Sequence, residues 1–249
     1  MDIIKVNNVE KYYQQLLVVK NLSFSVRESN FVSFVGPFGC GKTTILNLIG
    51  GITEVYGGSI LINSETPSVV RRKRKIGYCF QRPNLLPWLS ILENVLMPQK
   101  IASVKEDRKK GLSLLEMVGL GKFADKRPYE LSGGMQQLVS IVRSLILDPD
   151  ILLLDEPLSS IDEINRSKMH LKLLDIHQRT KKTTIMVTHS IAEAVFLSNR
   201  VIVLTARPTK VQKIVDIEIT QRDEETPYSD KFIRYVELIK EELKNGQIN

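Results

Sequence analysis

Residues 31–50 read FVSFVGPFGCGKTTILNLIG, and this stretch decides the fold. Its first five residues are nearly all apolar, the composition of a short strand buried on both faces. After Lys42 the apolar side chains take helical spacing. Between the two, Gly36, Gly41, Lys42 and Thr43 meet the pattern Gly-x-x-x-x-Gly-Lys-Thr. Each physical demand of phosphate binding is answered there. Gly36, Gly39 and Gly41 permit backbone angles that turn successive N–H groups toward one point. The helix that follows aims the positive end of its dipole at the same place. Lys42 reaches the outer phosphates, and the Thr43 hydroxyl suits Mg²⁺. Pro37, Phe38, Cys40 and Thr44 complete the loop. A thiol at a helix N-terminus can have a lowered pKa, but Cys40 reads first as a small residue that fits.

Loops of this kind occur in kinases, GTPases, helicases and transport motors, so the rest of the chain must say what the phosphate energy drives. With 249 residues, 43% of them hydrophobic, the chain can bury a large core, as one sizeable domain or one domain with an insertion. It carries 35 basic and 28 acidic residues, a net charge of +7. That balance permits contact with nucleic acid or an anionic membrane face and demands neither. The run RRKRK, residues 71–75, reads as a solvated loop. It lacks the interleaved aromatics that stack on bases, so nucleic acid is not expected; anionic lipid is the alternative. Two cysteines, Cys40 and Cys79, are too few for a disulfide framework and point to a reducing compartment. The N-terminal residues lack the pattern of a signal peptide. No stretch approaches ~20 uninterrupted apolar residues. The expectation is a soluble chain that acts at a membrane only through a partner.

Alternating strand-like segments, DIIKVNNV and NLSFSVR, precede the loop, and GGSILIN follows it. Residues 85–148 carry helical spacing and read as an inserted helical segment. From 150 to 204 strands and helices alternate, which argues for a mostly parallel α/β sheet. The expected division is a core of 1–84 and 149–220, the helical segment 85–148, and a tail of 221–249 ending in an amphipathic helix.

ILLLDEP places Asp155 and Glu156 at the C-terminal end of an apolar strand, the edge where open parallel sheets bind ligands. Asp155 suits Mg²⁺ or its water, and Glu156 can polarise an attacking water. His189 follows the apolar run TTIMVT, at the same edge, within reach of a terminal phosphate. His170 and His177 lie on a helical segment and read as surface or core residues. So few histidines and cysteines leave no zinc pattern.

LSGGMQQ, residues 131–137, makes the reading specific. Ser132, Gly133 and Gly134 form a second anion-binding helix start, with a hydroxyl, bare N–H groups and a dipole. Taken with GPFGCGKTT, Gln81 after GYCF, ILLLDEP, SSID and VTH, in that order, the chain resembles the ATP-binding-cassette ATPases over about residues 1–205. The resemblance implies an α/β fold: a P-loop NTPase core with a mostly parallel sheet, an N-terminal antiparallel β-subdomain and an inserted α-helical subdomain. It implies two cassettes paired head to tail, each ATP held between the phosphate loop of one and the LSGG of the other. Ser132, Gly133, Gly134 and Gln136 would then serve the partner's nucleotide. Tyr13, or the adjacent Tyr12, falls where the family stacks an aromatic on adenine. Gln81 would contact Mg²⁺ and the attacking water, Glu156 would be the general base, and His189 would sense the γ-phosphate. Asp162 would lie across the dimer interface.

Phe38 stands where the family often has Ser, and Leu138 where many members have Arg; Arg143 keeps its place. The segment RPNLLPWLSILENV after Gln81 lies where the family meets a transmembrane partner. Trp88 suits such a surface or, alternatively, a core cluster of the helical segment. LLPW, EPLSSIDEINR and EAVFLSNRVIVLTARP look like the nitrate/sulfonate/taurine group of importer ATPases. Those pair with a permease and an external solute-binding protein, at the cytoplasmic face of the membrane. An exporter or lipoprotein-release ATPase, and a non-transport cassette protein, are the alternatives.

Overall fold

In the computed structural model, residues 1–159 and 163–248 are described, with backbone alone for 163–165 and 247–248. The first two strands, β1 (Asp2–Tyr13) and β2 (Leu16–Arg27), form a hairpin. Then come β3 (Phe31–Val35), α1 (Lys42–Ile49), β4 (Gly57–Ile62), α2 (Pro67–Arg72) and β5 (Ile76–Cys79). Three helices follow: α3 (Ile91–Ile101), α4 (Arg108–Met117) and α5 (Gly133–Leu145). The chain returns through β6 (Ile151–Asp155), α6 (Glu163–Thr180), β7 (Thr183–Val187), α7 (Ile191–Leu197), β8 (Arg200–Leu204) and β9 (Val211–Asp216), and closes in α8 (Asp230–Ile248).

Two sheets result. One is antiparallel, in the order β2-β1-β4, and the other runs β5-β6-β7-β3-β8-β9. In the second, β5, β6, β7, β3 and β8 are parallel, while β9 pairs antiparallel with β8. Every residue of β3, β6 and β7 is buried. Helices and the small sheet cover both faces, so these strands have no solvent side and read as unbroken apolar runs. Alternation appears instead in β1, where Ile4 and Val6 are buried and Lys5 and Asn7 exposed, before a register shift brings Val9 inward.

The large sheet separates two apolar clusters. On one side the small sheet packs with α1 around Phe24 and Phe34, whose rings meet edge to face at 5.2 Å. On the other, α3, α4, α5, α6, α7 and α8 pack around residues such as Leu96, Leu138, Leu173 and Phe196. The parallel direction brings the ends of β3, β6 and β7, hence residues 36, 156 and 188, to one edge.

The basic run is solvated as its composition suggests, all five residues being exposed, and only its first two are helical. Arg71 and Arg72 form the last turn of α2, where cations suit the helix dipole. Lys73 pairs with Glu65 at 2.6 Å, Lys75 with Asp150 at 3.2 Å, and Arg74 donates to the Ala102 carbonyl at 2.8 Å. No helix among the described residues is long and apolar enough to cross a membrane.

Candidate nucleotide site

The phosphate loop leaves β3 at Gly36 and enters α1 at Lys42. Gly41 caps that helix with φ +117°, a conformation L side chains rarely adopt, and a Cβ there would lie 2.9 Å from Val18 Cγ1. Only glycine fits. Lys42 is buried and donates Nζ to the carbonyls of Gly36 at 2.9 Å and Pro37 at 3.0 Å. Thr43 and Thr44 open the first turn, and Phe38 projects fully into solvent. Cys40 is buried, and burial pushes its thiol above the ordinary value although Lys42 and nearby N–H groups oppose it. Its location under the loop, not the helix dipole, decides its chemistry.

Beside the loop, at the end of β6, Asp155 accepts a hydrogen bond from Thr43 Oγ1 at 3.1 Å. Burial raises its pKa, the Thr43 bond lowers it, Glu156 raises it and Lys42 lowers it, with a net upward shift. Glu156 takes φ +45°, a costly backbone for a side chain of this kind, of order 1–3 kcal/mol. Its N–H donates to Val187 O at 2.9 Å, and its carbonyl accepts from Ser159 N and Oγ at 3.2 and 3.0 Å. The strained turn aims the carboxylate at two groups. Gln81 Nε2 donates to Oε2 at 3.0 Å, and His189 Nδ1 lies 3.6 Å from the same oxygen. Gln81 and His189, 108 positions apart in sequence, thus meet at the Glu156 carboxylate, next in sequence to the Asp155 that bonds Thr43.

Residues around the motifs support the site. Thr188 donates to Glu193 Oε2, accepts from Ser190 N at 3.0 Å, and His170 Nε2 lies 3.5 Å from the other oxygen of Glu193. This buried cluster braces both sides of His189. His170 thereby supports the site from the core, and His177 packs on Phe31 at 5.3 Å with its pKa lowered by burial. Arg143 donates to Pro83 O at 2.6 Å and Asn84 O at 2.8 Å, and buried Gln137 donates to Phe80 O at 3.3 Å. Both come from α5 and fix the segment that carries Gln81. The sequence marks both, Gln137 as the end of LSGGMQQ and Arg143 by its family position, but not what they hold.

Ser132 caps α5, its Oγ accepting from Met135 N at 3.4 Å. Gly133 faces open space, with nothing within 4 Å of a Cβ placed there. Gln136 turns its amide back to the Pro128 and Leu131 carbonyls at 3.0 and 3.2 Å. Ser132, Gly133 and Gly134 border a cavity of about 470 Å³ with Lys122, Lys168 and Lys172, and no residue of 36–44 lines it. Tyr12 packs on Tyr56 at 4.7 Å, whereas Tyr13 is exposed with Lys11 Nζ 5.3 Å from its ring. Trp88 is exposed, not a core residue, and its carbonyl accepts from Arg127 at 2.6 Å. Asp162 lies outside the described residues.

Comparison with known proteins gives the family. The ABC transporter family model matches residues 19–159. The aliphatic sulfonates import ATP-binding protein SsuB of Bacillus cereus is 37% identical over 217 residues, 86% of this chain and 85% of that protein. The taurine import ATP-binding protein TauB of Rhizobium johnstonii is 40% identical over 221 residues, 87% of this chain and 82% of the relative. Among solved structures, a dimeric ATP-binding cassette in a post-hydrolysis state, bound to ADP and Pi, superposes with a TM-score of 0.75. It is 32% identical and covers 87% of this chain and 100% of its own. Family model, relatives and solved structure together show that the chain belongs to the ABC transporter family, as an ATP-binding subunit that hydrolyses ATP.

Proposed function

We propose that this chain is the motor subunit of an importer for a small anion of the nitrate, sulfonate or taurine type, working as a head-to-tail pair of cassettes. One observation carries the pairing. The phosphate loop packs with the small sheet, whereas the Ser132 helix start belongs to the helical side and opens on a separate cavity. An anion-binding helix start that meets no phosphate of its own chain calls for a second copy. The names of the sulfonate and taurine relatives support the direction of transport and the substrate class.

In this reading Lys42 and the loop N–H groups hold the phosphates, Tyr13 stacks on adenine, and Ser132, Gly133 and Gly134 close on the partner's nucleotide. Gln136, bonded within its own chain, would have to turn outward to join them. Glu156 takes the proton of the attacking water and His189 contacts the γ-phosphate. Mg²⁺ fits the oxygen donors of Thr43, Asp155 and Gln81, hard ligands of the kind it prefers. It would supply charge neutralisation at the phosphates. The helical segment 85–148, presenting Trp88, would meet a permease at the cytoplasmic face, with a solute-binding protein outside. The core of 1–84 and 149–220 and the tail of 221–249 complete the division.

Affinity purification from solubilised membranes tests the assignment. Recovery of a multi-spanning permease, and taurine- or sulfonate-stimulated ATPase activity when the binding protein is added, is expected. Recovery of ribosomes or DNA without a permease would overturn it.

A further inference from the structure

We propose that Arg207 and Thr209, on the turn between β8 and β9, are positioning residues that hold the phosphate loop open for ATP. The turn itself is anchored. Thr209 is buried, its N–H donates to Val18 O at 2.8 Å, and its carbonyl accepts from Lys20 N at 3.0 Å. Ala206 N donates to Gly246 O of α8 at 3.2 Å, and Thr205 N to Lys210 O at 3.1 Å. From this base Thr209 Oγ1 donates to the Cys40 carbonyl, and Arg207 Nη2 donates to the Gly39 carbonyl at 2.7 Å.

These bonds matter through the planarity of the peptide unit. In a trans peptide the N–H points opposite to the carbonyl it is bonded to. Holding the Cys40 oxygen against Thr209 turns the Gly41 N–H to the other side, away from the turn. Holding the Gly39 oxygen orients the Cys40 N–H, which closes the loop on Pro37 O at 3.2 Å. A carbonyl swung inward would instead set a partial negative charge against a phosphate.

Lys42 restrains two further carbonyls, Gly36 and Pro37. Its ammonium cannot serve both these oxygens and the outer phosphates with all its donors. When it turns to a nucleotide, Arg207 and Thr209 are the side-chain restraints that stay on the loop carbonyls. The cost of losing them therefore falls on the loaded state.

The test uses the full chain and equilibrium binding of a fluorescent ATP analogue, with ATP and adenosine as competitors. Thr209→Val keeps shape and removes the donor; it should weaken ATP about tenfold, or about 1.4 kcal/mol, and Thr209→Ser should restore it. Arg207→Ala should weaken ATP about fivefold, with Arg207→Lys between, as expected for loss of a charged donor. In steady state KM for ATP should rise with kcat nearly unchanged. Adenosine, which has no phosphate, should bind all variants alike. If Thr209→Val fails to fold, Arg207→Ala decides, since that side chain is exposed. ATP affinity unchanged in Arg207→Ala and in folded Thr209→Val, or equal losses for ATP and adenosine, would overturn the proposal. It rests on ATP binding alone, which the wild-type titration checks separately.

Discussion

Gln81 donates its side-chain amide to Oε2 of Glu156 at 3.0 Å. The bond joins the segment after β5 to the strained turn after β6, so the carboxylate reports on a loop that α5 holds. Gln137 and Arg143, on α5, fix the backbone on either side of Gln81. The helix that LSGG opens is thereby connected, through two side chains, to the carboxylate beside the phosphate loop.

Replacing Glu156 with Gln preserves shape and removes the carboxylate we propose as the base. ATP should still bind, and kcat should fall about 10²–10⁴-fold. The variant should accumulate as an ATP-bound dimer, visible by light scattering after gel filtration. Turnover at the wild-type rate would assign the base elsewhere.

Asp155 makes a prediction in pH. Burial holds its carboxyl above the ordinary carboxylate value in the folded chain. The folded state thus keeps the proton more tightly than the unfolded state. The stability this supplies is present at low pH and is lost as pH rises through the raised pKa. At neutral pH the free protein carries a buried charge that weakens it. Asp155→Asn keeps an oxygen acceptor for Thr43 and removes that charge. The melting temperature of the nucleotide-free protein should rise, about 2–4 °C for each 1 kcal/mol in a chain of this size. Stabilisation by MgATP should shrink at the same time. A lower melting temperature without nucleotide would mean that Thr43 and Lys42 outweigh burial.

The glycine loop, the acidic strand end and the LSGG helix start were legible because each needs particular residue types at fixed spacing. The apolar runs of β3, β6 and β7 gave the buried sheet for the same reason. What stayed hidden depends on contacts between segments remote in sequence. Glu193 looks like an ordinary helix-surface carboxylate until Thr188 and His170 are packed against it. Arg207 lies 168 positions from Gly39, and no local pattern links them. RRKRK is solvated as read, but its charge density gave no sign that Pro67 starts a helix whose last turn Arg71 and Arg72 form.

Arg143 supports the Gln81 segment with two charged hydrogen bonds from a half-buried guanidinium. Arg143→Ala should cost about 2 kcal/mol, in the range for bonds to a charged donor, read as a lower urea midpoint. Backbone amides of residues 82–90 should exchange about tenfold faster or more, since their pinning is local. Basal kcat should fall while ATP affinity holds, because Gln81 moves and the phosphate loop does not. Equal protection of that segment in the variant would show that Asn94, which also bonds Leu86, Leu89 and Ser90, suffices.

Among the described residues nothing covers Phe38, whose side chain is fully exposed at 102%. An aromatic ring left in water beside a phosphate site is explained if a second cassette covers it. Covering a Phe side chain is worth about 1.5–3 kcal/mol, and a symmetric pair covers two. In a Glu156→Gln background, Phe38→Ala should therefore raise the dimer dissociation constant about 100-fold or more with ATP present, each 1.4 kcal/mol being tenfold. The affinity of the monomer for ATP should not change, because the ring touches nothing that holds the nucleotide. Sedimentation velocity across a concentration series separates the two quantities. An unaltered dimer constant would place Phe38 outside the closed interface and leave its exposure to another partner surface.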